Sequence, residues 1–183
     1  PYCSAVAALN PRVVVDAQLA KKNRGMTKDM APLTMGLGPG FEAGRDVHIV
    51  IETNRGHNLG RVIREGCAQP NTGVPEGVDG YGEERVLRAP CDGEIKNILN
   101  IGDHVKVDEV VCYVGEEEVR SPINGVLRGI IMTGGELTRG LKRGDVDPRG
   151  VRENCLTVSD KARAIGGGVL EAILSVKWGI TVS

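Results

Sequence analysis

The densest group of side chains able to do chemistry lies in IETNRGHNLGRVI, residues 51–63. Glu52, Asn54, Arg55, His57, Asn58 and Arg61 fall within ten positions there, just past an apolar run that reads as a buried strand. A carboxylate, an imidazole and two guanidinium groups suit an anionic substrate or acid–base exchange. In open α/β sheets, ligands sit beyond the carboxyl ends of the strands, which is where this cluster falls. A solvated strand-to-helix turn whose charges pair with one another accounts for the same residues without a ligand. The sequence leaves both readings open.

Two glycine-rich stretches are the next candidates. GLGPG (36–40), with Gly36, Gly38 and Gly40, follows a strand, so its amides would suit an anionic group if a helix began there. The dinucleotide pattern G-x-G-x-x-G is absent and Pro39 removes a donor, so a plain turn between two strands is the preferred reading. SDKARAIGGGV (159–169) sets Asp160, Lys161 and Arg163 beside Gly166, Gly167 and Gly168. Three glycines in a row cost about 0.5–1 kcal/mol each against Ala in a helix. Close backbone packing or the approach of a ligand phosphate would compensate, packing being the commoner answer. Asp145 and Asp147 in GDVDPR suit a divalent cation, but acidic turns before Pro are common without one, and no metal is expected. His48, His57 and His104 are too scattered for a ligand set. No Ser–His–Asp or Cys–His arrangement can be assembled.

These residues need elements to hold them. Residues 4–9 read as the end of a short helix stopped by Asn10-Pro11, and RVVVDA (12–17) as a strand buried on both faces. QLAKKN is expected to turn helical, and PLTMGLG (32–38) and DVHIVIET (46–53) to form two more strands of an α/β sheet. Residues 1–66 therefore read as an α/β segment, incomplete at its N-terminus because the chain starts inside a helix-like stretch without an initiator Met. Residues 67–84 are polar and rich in Gly and Pro, a linker or ordered loop. Residues 151–183 supply a strand (CLTVS), a helix interrupted at Gly166–Gly168 and VLEAIL, and are expected to pack back on the α/β segment. SVKWGITVS carries little information.

Residues 85–150 contain a repeat. RAPCDGEI (88–95) returns as RSPINGVL (120–127), an offset of 32. Arg88 meets Arg120, Pro90 meets Pro122, Gly93 meets Gly125, Gly102 meets Gly134 and Val105 meets Leu137. Each copy reads as short strands joined by Pro/Gly turns and is too small to bury its own apolar face. Two interlocked copies predict a small all-β barrel or sandwich.

Bulk composition narrows the function classes. The 183 residues carry a formal net charge of −1 and no basic stripe, which argues against nucleic acid as a partner. Five dispersed cysteines predict reduced thiols in the cytoplasm. No apolar run approaches the roughly 18–20 residues of a membrane span. The number of subunits is left open.

Two resemblances add to this. APCDGEI…IGDHVKVDEVVCYVG…VRSPINGVL resembles the barrel-sandwich hybrid fold of biotinyl and lipoyl carrier domains. Such carriers attach their cofactor to a Lys at a hairpin tip between the halves. The corresponding hairpin here, VGEEEV (114–119), holds Glu116, Glu117 and Glu118 and no Lys, so covalent lipoyl or biotin is not expected. The fold expected is thus α/β plus all-β: a partial, Rossmann-like sheet and a duplicated-unit barrel-sandwich hybrid. From about residue 11 to 174, stretches including VVVDAQLAKKN, APLTMGLGPGFEAGRDVH, VIETNRGHNLGRVI, PNTGVP, GDVDPRG and SDKARAIGGGVLEAIL resemble the accessory proteins of the selenium-dependent molybdenum hydroxylase system. IETN stands where IETM is expected of that family. The resemblance implies an upstream Rossmann-like portion with a Gly-rich turn. It also implies a role in maturing a molybdenum hydroxylase client, by binding its cofactor, a cofactor precursor or nucleotide, or the client itself. The alternative is an enzyme acting on a nucleotide or cofactor precursor through Glu52, Arg55 and His57. The resemblance transfers no catalytic residue and names no cofactor. The binding candidates are therefore those read from the residues: Gly36, Gly38, Gly40, Glu52, Arg55, His57, Arg61, Asp160, Lys161 and Gly167.

Overall fold

The computed structural model describes residues 2–71 and 77–178. PNTGVP lies largely outside the described residues, as does the end of the chain after Trp178. The protein is a β-rich mixed α/β chain in two compact units, one comprising Pro1–Thr72 with Ser159–Ser183, the other Gly73–Val158. Among the described residues, no helix is long and apolar enough to cross a membrane.

Unit 1 begins with α1 (Tyr2–Leu9), followed by β1 (Val13–Asp16), β2 (Leu33–Leu37), β3 (Glu42–Ala43), β4 (Ile49–Ile51), β5 (Val62–Ile63) and β6 (Gly66–Cys67). Strands β1, β2 and β4 are parallel neighbours, and β5 closes the sheet antiparallel to β4. β3 and β6 make a separate two-stranded ribbon. All five residues of β2 are buried, because the sheet is covered on both faces. On one face Leu33, Met35, Leu37, Ile49 and Ile51 meet Ile165, Val169, Ala172 and Ile173 of the long helix α2 (Asp160–Trp178). Those helix positions recur at the spacing of one apolar stripe. On the other face Met26, Phe41, Ala43, Val47, Val50 and Ala68 form a second core. Each Val, Leu, Ile, Met or Phe among them contributes about 1.5–3 kcal/mol on burial. Thr34, buried within β2, meets His48 Nδ1 at 2.9 Å through its hydroxyl, which also accepts the His48 amide at 3.2 Å.

Four local expectations need correcting. β1 is not buried on both faces: it is an edge strand whose Val13 and Val14 are half-buried and whose Val15 is exposed. QLAKKN is not helical. Gln18 donates its amide to Asp16 Oδ1 at 3.0 Å, Leu19 has φ +54°, and Asn23 Oδ1 accepts the amides of Gly25 and Met26. Side chains that bond nearby backbone in this way compete with a helix. CLTVS is not a strand either: Arg152–Cys155 is a 3-10 turn, and Leu156 and Val158 stay exposed. Finally, α2 runs unbroken through its three glycines. Ser159 caps it, its hydroxyl accepting the Ala162 amide at 3.2 Å. Gly168 is buried, and a methyl there would overlap the carbonyl oxygen of Gly60; a methyl on Gly60 would overlap the carbonyl of Ala164. Close packing of backbone on backbone is what offsets the helix penalty.

Unit 2 holds β7 (Val86–Arg88), β8 (Gly93–Asn97), β9 (His104–Val105) and β10 (Val110–Val114), then β11 (Glu117–Arg120), β12 (Gly125–Ile130), β13 (Glu136–Leu137) and β14 (Lys142–Asp147). Adding 32 carries each strand of the first set onto the strand four places later. The two sheets have the orders β11-β10-β8-β13 and β7-β14-β12-β9, so exchanging the halves turns one sheet into the other. Register follows as well. Val114 pairs with Ile95 as Val146 pairs with Leu127, and Glu136 pairs with Glu94 as His104 pairs with Val126. Even the irregularity after Val110 in β10 returns after Lys142 in β14. Each sheet thus contains strands of both halves, and one core of Leu87, Ile95, Val105, Val111, Val114, Val119, Leu127, Leu137 and Val146 lies between them.

One position breaks the symmetry. Val111 is fully buried, and its counterpart is Arg143, a guanidinium only 1% exposed. Arg143 Nη1 contacts the Cys112 sulfur, while Nε and Nη2 find no hydrogen-bond partner among the described residues. Burial pushes the Cys112 thiol up, with Arg143 opposing.

The glycine contact yields a paired prediction. Gly168→Ala should destabilise the chain by about 1–3 kcal/mol through overpacking against Gly60. Gly167→Ala, which meets open space, should stabilise it by about 0.5–1 kcal/mol. Urea unfolding of the two variants measures both.

Candidate functional site

The cluster at 51–61 forms a compact loop beyond the end of β4. Its backbone is tied by Gly60 N to Glu52 O (2.9 Å), Glu52 N to Arg61 O (3.0 Å) and Arg61 N to Asn58 O (2.9 Å). Glu52 is 3% exposed, and its side chain turns back into this loop. Oε1 accepts the amides of Thr53 and Asn54, and Oε2 that of Gln69, each at 2.8 Å. Asn54 Nδ2 adds a 2.5 Å bond to Gln69 Oε1. Glu52 is thereby a clamp between two stretches of backbone 17 residues apart.

Arg55 reaches the start of α2 and grips Asp160 with both terminal nitrogens, at 2.5 and 3.0 Å. That side-chain pairing, aided by the Lys161 amide, holds the Asp160 carboxyl far below the usual carboxylate range. His57 is exposed on the loop, and Arg61 Nη1 bonds Asn58 Oδ1 at 3.2 Å. Lys161, partly buried, follows Asp160 in the first turn of α2. Gly167 is exposed with open space around it; its neighbour Gly168 makes the close approach.

The glycines at 36–40 adjoin the same loop, in a packing role. Gly38 donates to Ile51 O at 2.9 Å, and a side chain there would strike Thr53 Oγ1. Gly36 leaves room for the Phe41 ring, and Gly40, at φ +105°, lies against the backbone of Lys22. This supports the turn reading of GLGPG. Asp145 and Asp147, weighed as cation ligands, are engaged by arginines: Arg85 bonds Asp145 at 2.5 Å, while Arg149 and Arg128 meet the buried Asp147 at 2.6 and 3.3 Å.

Beside the clamp runs an open cleft of about 710 Å³, lined by Glu52, Asn58, Arg61, Val62, Ile63, Arg64, Glu65, Cys67, Ala68, Gln69 and Pro70. Of the candidates read from the sequence, Glu52 and Arg61 line it. Arg64, directly after β5, was missed, as were Cys67 and Gln69, which lie beyond it on and after β6, the strand that folds back to pair with β3.

Two outcomes test this geometry. Glu52→Gln replaces one acceptor oxygen with an amide that faces backbone N–H groups, and should cost about 1–3 kcal/mol in chemical unfolding. Asp160→Asn should lower the melting temperature slightly at neutral pH. Because pairing depresses the folded pKa of Asp160, its contribution is complete above the unfolded value of about 3.9 and lost as pH falls below it. Melting curves of wild type and variant should therefore draw together as pH falls below about 4 and merge only in strong acid, beneath the depressed folded pKa.

No protein-family model matches the sequence. A curated relative, the uncharacterized protein YqeB of Escherichia coli (strain K12), is 53% identical over 174 residues, a match covering 95% of this chain and 32% of the relative. The chain spans about a third of the length of the curated relative it matches.

Proposed function

We propose that this chain belongs to an accessory protein for the maturation of a selenium-dependent molybdenum hydroxylase, and that it binds a cofactor, nucleotide or client without turning anything over. The proposal puts the protein in the cytoplasm, where its thiols stay reduced. Unit 1 is read as part of a Rossmann-like sheet and unit 2 as a barrel-sandwich hybrid of the biotinyl and lipoyl type. The symmetric strand exchange in unit 2 supports that fold. Its β10–β11 hairpin carries glutamates where a carrier has lysine, so it offers a rigid docking module with no swinging arm.

The observation that carries the binding reading is the state of the polar cluster. Glu52 is saturated by three backbone amides and Arg55 is held by Asp160. The alternative enzyme, working through Glu52, Arg55 and His57, needs those same atoms free for proton transfer or substrate contact. Holding a ligand in the neighbouring cleft needs neither.

In cells that make such a hydroxylase, removal of the full-length protein should leave the hydroxylase present but depleted of selenium and inactive, with recovery on re-expression. Selenium content and hydroxylase activity equal to the parent strain's would reject the maturation role.

A further inference from the structure

We infer that the cleft along β5 is a binding site for a nucleotide-like molecule, a phosphate monoester carried on a flat, uncharged ring. This rests on the binding reading of unit 1 and names the ligand class for it.

The volume of about 710 Å³ falls in the range of roughly 300–1,000 Å³ typical of small-molecule sites. The wall is rigid. β5 is the last strand of its sheet, and its two residues anchor in opposite directions, Val62 in the core under α2 and Ile63 in the core on the other face. The half-buried Ile63 and the exposed Pro70 give the lining an apolar part against which a ring can lie.

Arg61 and Arg64 bracket this surface, one at each end of β5. Each is oriented by a neutral acceptor: Arg61 by Asn58 Oδ1, and Arg64 by Ser175 Oγ at 2.7 Å. Ser175 is itself fixed by donating to Ala172 O at 2.9 Å. Among the described residues neither guanidinium is paired with a carboxylate, whereas Arg55 is paired with Asp160 and Arg45 with Glu42 and Asp46. Positioned guanidinium groups with their charge uncompensated are suited to phosphate, which accepts several N–H bonds at once. Of the two carboxylates in the lining, Glu52 spends its oxygens on the backbone. Glu65 is exposed among the lining residues, where its charge opposes the binding of phosphate and works against a second phosphate group.

Isothermal titration of the purified chain with GMP and AMP tests the assignment, with guanosine and inorganic phosphate as controls. At least one nucleotide should bind with a millimolar or lower dissociation constant, and 0.5 M salt should weaken it. Arg61→Gln should weaken it at least fivefold with an unchanged melting temperature, and Glu65→Gln should strengthen it two- to threefold. Arg64→Gln adds a further loss, read only if the fold is retained, and Arg61→Gln stands independently of it. No binding of either nucleotide at 10 mM, or equal affinity in the Arg61→Gln variant, overturns the site. Phosphate binding as tightly as the nucleotide overturns the ring. Nucleotide binding without any effect of the full-length protein on client selenium would sink the maturation role and leave the cleft standing; the converse would sink the cleft alone.

Discussion

Three backbone amides converging on one buried carboxylate hold unit 1 together beyond the end of β4. Glu52 leaves β4 pointing inward, collects the amides of Thr53 and Asn54, and reaches the amide of Gln69 with its other oxygen. A buried carboxylate is tolerable because those bonds replace its water. Its position sets the loop back to Gly60, and Gly60 in turn sets how closely α2 can approach, because its carbonyl occupies the space a side chain on Gly168 would fill. Arg55 then ties the far side of the loop to Asp160 at the start of the helix. A residue type that usually signals acid–base chemistry is here a structural fastener.

Unit 2 depends on a different constraint. Four short strands cannot bury an apolar face alone, and the chain meets that limit by repeating the same four strands 32 residues later and exchanging them between two sheets. Turns, register and the irregularity in the long strands recur together, as they must when each half completes the other's sheet. The exception is Arg143 opposite Val111, which places a charge in a shared apolar interior. A buried guanidinium with two nitrogens unpaired among the described residues is costly. Retention of Arg143 against Cys112 makes this the least economical contact of the unit, and the structure supplies no physical account of what it is for.

Much of this was legible in the residues. The offset of 32 was visible as matched Pro and Gly positions, since turn residues are chosen by local backbone geometry and leave a direct trace. The buried strands PLTMGLG and DVHIVIET were visible as apolar runs. CLTVS and QLAKKN were misread, because propensity sees neither the absence of a strand partner nor the competition of Asp16 and Asn23 for backbone amides. The glycine run pointed to close packing, yet which of the three glycines was required depended on where Gly60 came to lie.

The sequence alone determined the alternation of buried strands, the duplication of unit 2, the absence of an attachment lysine and the grouping of polar residues at 51–61, all consequences of local pattern. Only the tertiary structure decided what that group does. Whether Glu52 faces solvent or amides, and whether Arg55 is free or paired, depends on Gln69 and Asp160, 17 and 105 residues away. Side chains acquire their chemistry from neighbours, and neighbours at that separation are set by how the chain folds.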